Sequence, residues 1–405
     1  VQVASLKHVA NSQTGRIGLL VLAAALALGS YLYTTSMGLA GTSDSYHYLY
    51  AAHTLRQTGH LLMPDGSPYQ AWPPLFPVVL ALLGGAGLVH WLNGLALLGA
   101  VAAWSAVGYQ LLPGRRALAL SLLLALGSPA LVVSKFIWSE PLFNLLWACY
   151  FLALLSWMRR GGRVLGLLAT GLGFLLPLQR IAGVFLLAGI GVGLAWPGAA
   201  KVGRPGGWAR LGHLVGTGSG LLLWQVSSWP KLSLSNSIQL GDDPHAILPI
   251  LADYGFVLWR WLVPLPAASL LALPAAVWVC LLVGVAALWP WAAIVRTPTR
   301  TVPAGLPLLC QRMLFMGLVL SLVLLTGSAA RGRIGADVHE AERYLTPLYP
   351  TVLLLVLLNW PATKSKLIRL GPVLVVAWVL YQGVRAGHNA YRLHRLPPMG
   401  LLHLP

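Results

Sequence analysis

Asp44 stands where a long apolar run gives way to a polar segment, Thr42-Ser43-Asp44-Ser45-Tyr46-His47-Tyr48. Two roles suit a carboxylate there. One is structural. Tyr48, Leu49, Ala52 and Leu55 recur at helical spacing, which predicts a short interfacial helix with Ser43 or Asp44 as N-cap and Gly59 as terminator. Such a cap stabilises by about 1 kcal/mol. The other role is a general base held at the membrane surface, and the two are compatible. Arg343 and Arg180 fall at the expected outer ends of apolar runs, where ionisable groups are costly unless used. Their planar forks suit phosphate. Arg331 and Arg333, in the same outer loop as Arg343, add positive charge less specifically. The plainer alternatives are snorkelling, or pairing with Glu342 and Glu140. Glu140, directly before Pro141, either orients a substrate hydroxyl or favours a helix N-terminus. Tyr69, Trp72 and Tyr344 offer aromatic faces to a substrate. An interfacial aromatic belt accounts for most of the 17 tryptophans. Asp242-Asp243-Pro244-His245 has the look of a metal cluster but reads better as a turn. His47 and His53, six residues apart, do not share a helical face. No metal site and no certain cofactor are expected.

The elements that must position these groups are membrane spans. Hydrophobic residues make up 57% of the 405 and charged residues only 9%, against about 25% charged in soluble chains. Mean hydropathy is +0.74. Apolar runs near the ~20 residues that cross the hydrocarbon core as a helix recur throughout. The alternating segments of a membrane barrel are absent. The net charge of +18 comes from short basic clusters between apolar runs, the pattern of cytoplasmic loops rather than of a nucleic-acid binder. Cys149, Cys280 and Cys310 lie in apolar stretches without CxxC spacing, so no disulfide framework or zinc site is expected.

Threading the chain gives an all-α polytopic membrane protein of about eleven transmembrane helices, forming a single domain over 1–405. The first span runs from about Arg16 to Ala40, with the N-terminus cytoplasmic. The first outer loop covers 41–72 and is followed by a short apolar segment, 73–88, read as re-entrant or interfacial. Further spans are His90–Leu112, Ala117–Ser134, Pro141–Trp157, Val164–Leu178, Ile181–Trp196, Leu211–Trp229, Pro266–Ile294, Pro307–Ser328, Tyr344–Trp360 and Leu370–Val384. A second outer loop covers 230–264 and a third 329–342. In this topology all nine acidic residues fall on the outer face, as a polar reaction chamber there would require.

The first loop carries a recognisable pattern: Asp44-Ser45, Tyr48-Leu49, Ala51, Leu55, Gly59, Asp65-Gly66, Pro68-Tyr69 and Trp72-Pro73-Pro74-Leu75-Phe76-Pro77. It resembles the first outer loop of the GT-C superfamily of polytopic glycosyltransferases, in particular bacterial protein-mannosyltransferase-like and aminoarabinose-transferase-like enzymes. Trp138-Ser139-Glu140-Pro141-Leu142-Phe143, the Gln179-Arg180…Gly183 turn and Glu342-Arg343-Tyr344-Leu345…Pro347-Leu348-Tyr349-Pro350 resemble later segments of that family. The resemblance implies transfer of a sugar from a polyprenyl-phosphate donor to an acceptor hydroxyl at the outer face, inverting, with Asp44 as the base. It implies Arg343, Arg180, Arg331 and Arg333 on the phosphate side, and Glu140, Tyr69, Trp72, Glu342 and Tyr344 around the substrate. Many relatives carry Asp-Glu where this chain has Asp44-Ser45, which leaves Asp44 the single candidate base and weakens a metal-assisted reading. The partners implied are the lipid-linked donor, a glycan, lipid or protein acceptor, and membrane lipids. The location implied is a bacterial-type inner membrane with the site facing the periplasm or exterior. The competing classes are a lipid or polysaccharide transporter or flippase, for which ionisable residues would lie near the midplane, and a non-catalytic membrane subunit.

Overall fold

The computed structural model describes residues 13–70, 72–84, 86–196, 202–228, 247–262, 305–330, 338–360 and 371–399. Among them the regular structure is helical. In chain order the helices are α1 (Gln13–Thr35), α2 (Ser43–Thr58), α3 (Leu75–Leu83), α4 (Val89–Leu111), α5 (Gly114–Ala125), α6 (Ser128–Ser134), α7 (Glu140–Arg160) and α8 (Arg163–Gln179). Then come α9 (Ala182–Ala195), α10 (Gly207–Ser228), α11 (Ile247–Leu262), α12 (Leu306–Ala330), α13 (Val338–Leu345), α14 (Tyr349–Asn359) and α15 (Gly371–His394).

Among the described residues, five stretches are long and apolar enough to cross a membrane: Val89–Leu111, Gly114–Ser134, Glu140–Arg160, Leu306–Ala330 and Glu340–Asn359. Three shorter apolar helices, Leu20–Thr35, Arg163–Gln179 and Ala182–Ala195, accompany them. These are fewer than the eleven expected from sequence. The expected span 266–294 lies outside the described residues, as do Cys280 and the turn 242–245.

Prolines explain two departures from the expected spans. Ala117–Ser134 is broken between α5 and α6, because Pro129 lacks an N–H and disfavours helix at Ser128. Tyr344–Trp360 is interrupted by a 3-10 turn, Thr346–Leu348, containing Pro347. The last span does not stop at Val384. It runs on to His394, because Arg385 finds a carboxylate partner inside the bundle. Within 230–264, read as a loop, residues 247–262 form α11, with Tyr254, Val257 and Trp261 buried. The segment 73–88 contains the nine-residue α3. At 1.5 Å per residue α3 is about 14 Å long, under half of the hydrocarbon core.

The two ends of the bundle differ chemically. α7 begins at Glu140 and ends at Arg159-Arg160, about 30 Å away. At the basic end Arg159 donates to Gln110 (2.8 Å), Arg116 to the Leu357 carbonyl (3.2 Å) and Arg204 to the Arg160 carbonyl (3.2 Å). The helical hairpin α7–α8 returns the chain to Arg180 beside Glu140. Between the ends, aromatic side chains fill the core, with Trp104 stacked on Phe151 at 5.4 Å between ring centroids.

Small residues let other helices approach closely. A Cβ on Gly189 of α9 would stand 2.2 Å from the backbone nitrogen of Gly317 in α12. Contacts of this kind drive helix association where lipid removes the hydrophobic gradient. Gly189→Val is therefore expected to cost at least the ~1–3 kcal/mol of ordinary overpacking, since the obstacle is backbone. Thermal unfolding of the purified protein in detergent, compared with wild type, measures it.

Candidate active site

Two connections bring distant carboxylates into register. The chain leaving α1 passes beside the chain leaving α6. The Ala40 N–H donates to the Lys135 carbonyl at 2.9 Å, and the Ile137 N–H donates to the Ala40 carbonyl at 3.1 Å. This parallel bridge pairs Ala40 with Phe136. Asp44 follows its bridge residue by four positions and Glu140 follows its own by four. The buried Lys135 ammonium secures the crossing by donating to the carbonyls of Thr34 (3.0 Å) and Gly38 (2.9 Å), at the end of α1.

The N-cap of α2 is Thr42, one position before the residues expected from sequence. The Ser45 hydroxyl accepts from the Thr42 N–H at 3.0 Å, and the Trp138 indole donates to the Thr42 hydroxyl at 2.8 Å. Asp44 is thereby released from capping. Gly59 ends α2 as expected, left-handed at φ 76°. Asp65 accepts from the Ser67 N–H at 2.9 Å, within a tight turn of the first loop.

Arg343 joins the carboxylates. Its Nη2 donates to Asp44 Oδ2 at 2.5 Å and its Nε to Glu140 Oε1 at 2.7 Å. Its Nη1 lies 3.7 Å from Glu340. The guanidinium carbon sits 3.9 Å from the centroid of the Trp138 ring, a cation–π contact, and 5.4 Å from that of Tyr344. Arg180 Nη1 reaches Glu140 Oε1 at 2.7 Å and donates to Ser139 Oγ at 2.8 Å. Gln179 holds the Ser139 carbonyl at 2.9 Å. The Glu140 side chain is fully buried, whereas those of Asp44 and Arg180 keep 18% and 17% of their surface. One edge of the cluster is open and the other sealed.

Aromatic side chains of the first loop line its flank. Trp72 packs against His47, Tyr48 and Tyr69, with centroids 5.3, 5.8 and 6.1 Å away. Burial pushes the Tyr48 and Tyr69 phenols above their usual pKa, so both remain hydrogen-bond donors at neutral pH. The Tyr69 hydroxyl is buried with no partner among the described residues.

No protein-family model matches the chain, and no curated protein does. Solved structures do. The Archaeoglobus fulgidus oligosaccharyltransferase, tethered to an acceptor peptide, matches over 94% of this chain and 55% of its own, at 12% identity and a TM-score of 0.49. ArnT from Cupriavidus metallidurans, bound to undecaprenyl phosphate, matches over 86% and 78%, at 16% identity and 0.44. Archaeal AglB, in complex with an inhibitory peptide and a dolichol-phosphate, matches over 94% and 55%, at 13% identity and 0.41. The chain thus spans about half the length of the oligosaccharyltransferases it matches.

Of the residues singled out from sequence, the structure gathers Asp44, Glu140, Arg180, Arg343 and Tyr344. Tyr69 and Trp72 pack beside them in the first-loop cluster. Arg331 and Arg333 lie outside the described residues. Glu342 points away, to a second cluster. There it pairs with Arg260, and with Arg385 Nη2 at 2.6 Å, while the Trp261 indole approaches at 3.5 Å. Consecutive helical residues project about 100° apart, so adjacent Glu342 and Arg343 serve different networks. Sequence reasoning missed Arg260, Arg385, Trp138, Ser139, Gln179 and Lys135. Of these, Trp138, Ser139 and Gln179 sit inside segments quoted for their resemblance, next to Glu140 and Arg180. Among the described residues no group of three or more His, Cys, Asp or Glu is placed to hold a metal.

Among the described residues, Glu342 is the only carboxylate paired in its cluster. Glu342→Gln would leave two largely buried guanidiniums without that charge, and breaking such a pair costs about 3–5 kcal/mol. A lowered unfolding temperature for Glu342→Gln, against a small change for Asp65→Asn in the exposed turn, is the expected result.

Proposed function

We propose that this chain transfers a sugar from a polyprenyl-phosphate donor to an acceptor hydroxyl, at the membrane face where α1 ends, with inversion at the anomeric carbon. The observation that carries the reading is the Asp44–Arg343–Glu140–Arg180 cluster. It places a part-exposed carboxylate beside two guanidiniums at the end of a helix bundle. The first-loop pattern from Asp44 to Pro77 supports the same reaction.

The geometry supports these roles. Asp44 accepts the acceptor's hydroxyl proton as the oxygen lone pair attacks the anomeric carbon. The bond from that carbon to the phosphate oxygen breaks and its electron pair leaves with the phosphate, which gains negative charge. Arg180, whose hydrogen bonds to Ser139 and Glu140 use Nη1, and Arg343 supply the positive field that steadies the departing phosphate. Glu140 is sealed from substrate. It works through the arginines by fixing their forks. Trp72, Tyr69 and Tyr344 form the wall against which the sugar packs. The donor's apolar tail leaves along the lipid-facing side of α3. We place the site on the non-cytoplasmic side of an inner membrane.

A transporter reading is less well supported. The charged cluster lies at helix ends. Arg312, a charge within an apolar helix, sits near the start of α12, against Trp196 at 5.1 Å.

Asp44→Asn keeps the shape and removes the base. Transfer of a labelled sugar from a polyprenyl-phosphate donor should fall by ~10²–10⁴-fold, the usual worth of general-base catalysis, with the unfolding temperature nearly unchanged. Normal turnover in this variant would remove Asp44 from the mechanism. Arg180→Lys keeps the charge but loses the fork. It is expected to lower turnover by about tenfold or more, read in the same assay.

A further inference from the structure

The segment beyond α15 lies across the 38–41 turn, which leads into α2 and Asp44. α15 ends at His394, whose ring stacks on Tyr33 with centroids 4.8 Å apart and whose Nδ1 lies 3.0 Å from the Ser36 hydroxyl. The chain then runs through Leu396-Pro397-Pro398-Met399, where the two prolines favour an extended path. The Met399 N–H donates to the Leu39 carbonyl at 2.8 Å. Two glycines admit this approach. Gly38 is left-handed at φ 97°, and a Cβ on it would stand 3.1 Å from Pro398 Cβ. A Cβ on Gly41 would lie 2.2 Å from Met399 Sδ. The Met399 side chain joins the apolar cluster of Tyr48, Tyr69 and Phe76, the floor of the first loop.

Residues 38–41 are therefore held from two sides. On one side Ala40 is bonded to Lys135 and Ile137. On the other Leu39 and Gly41 receive Met399. Asp44 begins three residues later. The basic and apolar composition of the C-terminal segment gives no hint of this contact, which depends on α15 ending beside Ser36.

We propose that residues 395–399 are a strap that sets the position of Asp44, with Met399 as its positioning residue. This rests on the reading of Asp44 as the base. Met399 touches neither the donor nor the acceptor. It acts by keeping the 38–41 turn seated on Lys135 and Ile137, so that Asp44 and Glu140 stay at the spacing Arg343 spans. A carboxylate displaced by an ångström is a poor base, since misplacements of that size cost up to ~10²-fold.

The test uses the full-length protein in lipid nanodiscs, with Met399→Ala and the volume-conserving Met399→Leu. Hydrogen exchange of the amides of residues 38–46 and 135–140 is measured without substrate, and transfer with a labelled polyprenyl-phosphate sugar. Met399→Ala should speed exchange at Ala40 and Ile137. It should lower turnover by about tenfold, with KM for the donor within about twofold and the unfolding temperature little changed. Met399→Leu should restore exchange and turnover to near wild type. Unchanged exchange in Met399→Ala, or faster exchange with unchanged turnover, overturns the strap. A wild-type chain with no transfer fails the base reading instead, and the strap is then judged on the exchange result alone.

Discussion

A guanidinium buried at the end of a membrane bundle needs a carboxylate, and Arg343 has three within reach: Asp44, Glu140 and Glu340. Desolvation of an unpaired cation there would cost several kcal/mol, so the arginine constrains everything that delivers its partners. Asp44 comes from the first turn of α2, Glu140 from the start of α7, and Arg343 itself from α13, roughly two hundred residues further on. The Ala40–Phe136 bridge is how the first two arrive in step. The helix break at Pro129, the buried Lys135 and the Thr42 cap all serve that bridge or begin from it.

The arrangement also separates two kinds of charge pairing. In the Asp44 cluster, two guanidiniums face two carboxylates at close range, and Asp44 and Arg180 remain part exposed. In the Glu342 cluster, two guanidiniums share one carboxylate, deep between α11, α13 and α15. The first has an accessible edge and adjoining aromatic walls, features suited to a substrate. The second ties three helices together and explains why α15 continues past Arg385. One turn of α13 feeds both, so the Glu342 cluster also fixes the helix from which Arg343 projects.

Much of this was legible in the sequence, for identifiable reasons. Pairing of Arg343 and Arg180 with Glu140 was among the readings the sequence offered, from costly charges at the ends of apolar runs, whereas the contact of Asp44 with Arg343 was not. The shortness of α3 followed from the brevity of its apolar run, and the end of α2 from Gly59. Other features were not readable. The cap at Thr42 depends on Trp138, almost a hundred residues distant. The role of Glu342 depends on which way one helical residue turns. The helix at 247–262 was hidden because Pro249, Asp253 and Arg260 give it the polarity of a loop, whereas burial of Tyr254, Val257 and Trp261 decides its fold. Long-range contacts of this kind leave no local pattern.

The claim on which all of this turns is that Asp44, Arg343 and Glu140 form one reaction centre for lipid-linked sugar transfer. A double-mutant cycle on Asp44→Asn and Arg343→Gln, scored by turnover of a labelled polyprenyl-phosphate sugar in nanodiscs, tests it most directly. Groups that act as a unit are strongly non-additive. The double variant is therefore predicted to be no slower than the slower single variant. Fully additive losses, or no loss in either single variant, would contradict the account.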